Sequence, residues 1–78
     1  SIPAGSVEKS IEHLEQAVAL NPKVIVSRLE LARSYVAAEN WTLARNSLIS
    51  VRELPNQFSD DVKHKQKAEQ LLEEIKER

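Results

Sequence analysis

Two stretches of this chain are written to one plan, 34 residues apart. Subtracting positions pairs Gly5 with Glu39, Val7 with Trp41, Leu14 with Leu48, Ala17 with Val51 and Leu20 with Leu54, every difference being 34, and the small residues Ser10 and Ala44 keep the same offset. Self-similarity at a fixed period marks a chain built from stacked supersecondary units, each unable to bury its apolar face alone. With 78 residues in all, there is room for one small core and no second domain.

The units are helical. One Gly and three Pro leave few places for sharp turns, and no Asn-Gly, Asp-Gly or Gly-Gly pair marks a hairpin, so strands are a poor reading. Val7, Ile11, Leu14, Ala17, Val18 and Leu20 recur at three- and four-residue intervals, which predicts a first helix over 6–20, capped by Ser6 with Glu8 in its first turn and ended by Asn21-Pro22. A second helix follows from Val24 to Ala38, where Ile25, Leu29, Leu31, Ala32, Tyr35 and Val36 hold helical spacing despite the β-branched start. Asn40 is placed to cap a third helix over Trp41 to Glu53, closed by Pro55. Ser59 is expected to cap a fourth over 59–77, with Asp60 and Asp61 in its first turn and Lys76 and Arg78 in its last, opposing the helix dipole at both ends. Its apolar stripe is thin, Val62, Ala68, Leu71, Leu72 and Ile75, so this helix should close the end of a stack with one wetted face.

The run Leu31-Ala32-x-x-Tyr35, followed by Trp41, Ala44, Leu48, Val51 and Leu54 before Pro55, resembles one complete tetratricopeptide repeat. Gly5, Val7, Ser10, Leu14, Ala17 and Leu20-Asn21-Pro22 resemble the second half of the repeat before it. Three positions depart from the pattern: Arg28 replaces a large aromatic residue, Glu39 a turn glycine, and Pro55 comes one residue early. The resemblance implies an all-α fold of antiparallel helix hairpins stacked as an α-α superhelix, one domain over 1–78 with a partial repeat at 6–20, a complete one at 24–54 and a capping helix at 59–77. Ala32 and Ala44 would then mark the close approach of two helices, with Tyr35 and Leu48 filling the space beside them. An ordinary antiparallel bundle would want the same residue types, and only the shared offset separates the two readings.

Catalytic and cofactor chemistry find few groups to work with. There is no cysteine, and the two histidines, His13 and His64, lie among charged residues and read as solvated imidazoles. His13 has no second His one turn on, and His64 stands between Lys63 and Lys65, so no metal is expected; a single glycine cannot cradle a phosphate. The pairs Glu12/Glu15 and Glu73/Glu74 read as solvated surface. Eleven basic against twelve acidic side chains give a net charge of -1, with no field to draw nucleic acid, and no apolar run is long enough to enter a bilayer. Neither an enzyme, a cofactor protein nor a nucleic-acid binder is expected, and the compartment stays undetermined. The absence of Met and the start at Ser1 suggest a segment of something longer.

What remains is binding. In tetratricopeptide proteins the first helix of each hairpin lines a groove for a peptide or partner protein, and the matching positions here are Val26, Leu29, Arg33, Val36 and Ala37. Allowing a two-residue shift in the loop at 56–61, the last helix adds Val62, Lys65, Glu69 and Leu72. The Lys and Asn pair with which chaperone-receptor members hold a carboxylate is missing. Val26, Leu29 and Val36 could equally pack on a further helix or on a second copy, making a homo-oligomer, and the chain could also be the helical appendage of a larger enzyme.

Overall fold

A computed structural model describes residues 4–78 of the chain, so the expected domain is seen from Ala4 onward. It holds four helices, α1 (Ala4–Leu20), α2 (Ile25–Ala37), α3 (Trp41–Glu53) and α4 (Asp61–Ile75), with no strand among the described residues. The fold is all-α. Helix α1 packs on α2, α2 on α3, and α4 lies across both α2 and α3. The molecule measures 32 × 30 × 19 Å, so its thin direction is about two helix diameters.

One core joins α2, α3 and α4: Ile25, Leu29, Leu31, Ala32, Tyr35, Ala44, Leu48, Val51, Ala68 and Ile75 are buried together, with Ile11, Leu14 and Val18 of α1 packed against them. Ala32 and Ala44, the small residues expected at the helix contact, have no exposed surface. A bulkier side chain at either would hold the backbones apart. The fourth helix continues the pattern at a slightly longer offset. Ala68 follows Ala32 by 36 positions and Asp61 follows Ile25 by 36, and all four are buried.

The turn between α2 and α3 shows how one residue can end one helix and start the next. Asn40 N–H donates to Tyr35 O and Glu39 N–H to Val36 O, both at 2.9 Å, the paired bonds of a Schellman motif. Asn40 Oδ1 in turn accepts from Leu43 N–H at 3.2 Å, capping α3 as expected. The motif requires a left-handed residue at Glu39, whose φ is 57°. Here a side chain occupies a conformation that suits glycine.

Both expected serine caps are corrected. Helix α1 is already running at Ala4, which places Ser6 inside it and Glu8 beyond its first turn. At α4 neither Ser59 nor the N-cap Asp60 caps through its side chain; the carboxylate of Asp61, the first helical residue, turns back into the preceding loop instead. Lys76 and Arg78 lie past the last turn, and the cation that meets the α4 carboxyl end comes from α3: Arg45 Nη1 donates to Ile75 O at 3.4 Å and Arg78 O at 3.2 Å. Arg78 itself lies over the Trp41 ring, 5.3 Å from its centroid.

Two substitutions probe this frame in thermal denaturation. Glu39→Gly relieves the left-handed conformation and should stabilise the chain by about 1 kcal/mol. Ala44→Leu should destabilise it by about 1–3 kcal/mol by overpacking the helix contact.

Candidate protein-interaction surface

Helix α4 divides its exposed side into two stripes, and the stripes face different neighbours. Lys67, Gln70, Leu71 and Glu74 fall at helical spacing on one line and face Arg33 and Val36 of α2 across a cleft of about 280 Å³. Val62, Lys65, Gln66 and Glu69 form the adjoining line and, with Asn56, border a shallower depression of about 560 Å³. Gln70 stands at the edge of both.

The residues expected in one groove are thereby dispersed. Arg33 and Val36 do line the cleft, Val36 half-buried and Arg33 exposed, its guanidinium 3.0 Å from Glu30 of the preceding turn. Ala37 is exposed but borders a separate hollow between α2 and α1, with Val7, Ser10 and Leu14, where Arg33 is also found. Val26 is half-buried. Leu29 is not a surface residue: only 1% of it is exposed, because α4 lies across α2 and completes the core over it. Lys65 and Glu69 border the second depression rather than the cleft, and Val62, 54% exposed, contributes nothing to the core. Lys67, Gln70, Leu71 and Glu74 were missed because the apolar stripe of α4 gives no hint of which polar residues border α2. Their spacing of three, one and three residues was the available signal.

Charges fix the borders. Glu69 is gripped at both oxygens by Arg52 of α3, Nε to Oε2 at 2.6 Å and Nη2 to Oε1 at 2.8 Å, and this hydrogen bonding holds its carboxyl below the usual range. Within the cleft Lys67 and Glu74 have no partner within ion-pair distance among the described residues, and the lining comprises a guanidinium, an ammonium, a carboxylate, an amide and two apolar side chains. On the far side of α2, burial first and the hydrogen bond to Glu15 second push the Tyr35 phenol up to about 12; its hydroxyl donates to Glu15 Oε2 and ties α2 to α1.

The loop that carries Asn56 is held by Asp61, whose side chain is 1% exposed. Its Oδ2 accepts from Phe58 N–H at 2.9 Å and Gln57 N–H at 2.8 Å, and its Oδ1 lies 3.1 Å from His64 Nδ1. His64 is therefore not the solvated imidazole expected, whereas His13 is exposed. The Phe58 amide, followed by that of Gln57, lowers the Asp61 carboxyl below its ordinary value. Among the described residues no cluster of three His, Asp or Glu side chains could hold a metal ion, and no helix is long and apolar enough to cross a membrane.

Residues 1–76 match the family model described as Regulator of microtubule dynamics protein 1-3. The chain belongs to this family. The matched span takes in all four helices, so family membership covers the whole helical unit, cleft included. No curated protein and no solved structure matches the chain.

Asp61 sets an expectation for acid. A carboxyl whose folded value is depressed contributes stability that is present above its unfolded range, and that is lost as pH falls through the folded value. Wild-type melting temperature should therefore drop on acidification below about pH 4. Asp61→Asn should start lower at neutral pH and fall less steeply; parallel wild-type and variant curves would remove Asp61 as the acid-sensitive group.

Proposed function

We propose that this chain is a protein-interaction module without catalytic chemistry of its own, which holds a segment of a partner in the α2–α4 cleft. The carrying observation is the cleft itself. It lies between two helices anchored by a shared core, and its lining mixes the apolar Val36 and Leu71 with Arg33, Lys67, Gln70 and Glu74. Such a lining suits a polypeptide, which offers apolar side chains, backbone amides and charges together. A small-molecule site would be more enclosed and more apolar.

We read the stacking as tetratricopeptide-like: the 34-residue offset of α1 and α3, the buried alanines on α2, α3 and α4, and the left-handed residue at the family's turn glycine all support it. The family's description adds a context, a protein acting on microtubule dynamics, and we take the polymer or its subunits as the first partner to try.

Co-sedimentation with microtubules polymerised from purified tubulin tests the proposal. The wild-type chain should pellet with the polymer, and Arg33→Glu combined with Lys67→Glu should weaken this by about tenfold or more, a loss of roughly 1.4 kcal/mol or more across the two substitutions. Both residues are exposed, so helicity by circular dichroism should not change. A wild-type chain left in the supernatant eliminates tubulin as the partner; full binding by the double variant eliminates the cleft.

A further inference from the structure

The α2–α4 cleft has a direction as well as a lining. The short turn at Glu39 lays α3 antiparallel to α2, and Arg45 near the start of α3 reaches the carbonyls at the end of α4, so α2 and α4 run the same way. Charge changes sign along that common direction. On α4 Lys67 comes first, then Gln70 and Leu71, and then Glu74, two helical turns or about 10 Å beyond Lys67. On α2 Arg33 likewise comes before Val36. One end of the cleft therefore holds the cations, its middle Val36 and Leu71, and its other end the carboxylate.

These charges are not spent inside the protein. Arg33 shares Glu30, but Lys67 and Glu74 pair neither with each other nor with another described residue, whereas on the adjoining stripe Arg52 holds Glu69, and Lys76 holds Glu73. Size narrows what can enter. A cleft of about 280 Å³ takes a few side chains, and a helix about 10–12 Å across would ride above it. An extended segment can lie along it, and such a segment brings backbone amides and carbonyls without partners. Gln70, midway between Lys67 and Glu74, has a side-chain amide that both donates and accepts.

We infer that the cleft selects its partner by the order of charge: the occupant is an extended segment of another protein that carries an acidic and a basic residue three or four positions apart, with an apolar residue between them. The acid sits against Lys67 and Arg33, the base against Glu74, and the apolar side chain on Val36 and Leu71. This rests on the reading of the cleft as a partner site and adds what the partner must carry there. Three extended residues cover about 10 Å at about 3.3 Å each, which matches the spacing of Lys67 and Glu74 along α4. A segment with two acids sets one of them against Glu74, and a segment with two bases sets one against Lys67. Like charges brought together in this way are how an interface rejects a wrong partner.

NMR titration of the isotope-labelled chain with synthetic peptides at low ionic strength reads affinity and site together, down to dissociation constants of about 1 mM. Three end-blocked peptides share Gly-Ser flanks and differ in their cores, Asp-Leu-Leu-Lys, Asp-Leu-Leu-Asp and Lys-Leu-Leu-Lys. The mixed peptide should bind at least about tenfold tighter than either like-charged one and should shift the amide signals around Val36 and Leu71. Glu74→Lys should transfer the preference to the two-acid peptide with helicity unchanged, since Glu74 is exposed. Equal affinity for the three peptides, a preference that Glu74→Lys leaves as it was, or no binding of any of them overturns the inference. The partner reading itself stands or falls separately: microtubule binding that is lost in the Arg33→Glu, Lys67→Glu double variant upholds the cleft even where the charge order fails.

Discussion

Ala32, Ala44 and Ala68 have no exposed surface, and one sits on each of the three helices that share the core. A methyl group lets two backbones approach closely, and dispersion attraction between packed atoms falls off within an ångström of the best separation. The larger residues around them, Leu29, Tyr35, Leu48, Val51 and Ile75, can fill the remaining space only because the alanines keep it narrow. The cleft depends on this arrangement. Its walls are the outer parts of α2 and α4, whose inner parts meet in the core.

The polar anchors act at the ends of the helices, where backbone groups lack intrahelical partners. Asn40 closes α2 through its amide hydrogen and opens α3 through its side chain. Asp61 receives two loop amides at the start of α4, and Arg45 reaches two carbonyls at its finish. Asp61 occupies the place in α4 that Ile25 occupies in α2, so one helix begins with a buried apolar residue and the other with a buried carboxylate satisfied by hydrogen bonds. That exchange suits the longer connection before α4, whose amides have no strand or helix to bond to.

Function follows from how these helices divide their surfaces. The α2–α4 cleft sets Val36 and Leu71 among Arg33, Lys67, Gln70 and Glu74, apolar and charged groups side by side on one face of the core.

Much of this was legible in the residues alone. The helices, their order, the small residues at the contact and the Asn40 cap all follow from local spacing and turn chemistry, which act within a few positions of the chain, whereas the left-handed conformation of Glu39 emerged only with the structure. The site was legible only in part. Arg33 and Val36 were found because they share the α2 stripe, but Leu29 belongs to that stripe too and lies under α4. Whether a residue on a helical stripe ends as wall or floor depends on the rotation and depth of the helix laid across it. Those are set by the fit of side chains distant in sequence, Ala68 and Ile75 against Leu48 and Val51, and by the Asp61 loop that aims α4, and no periodicity within one helix encodes them.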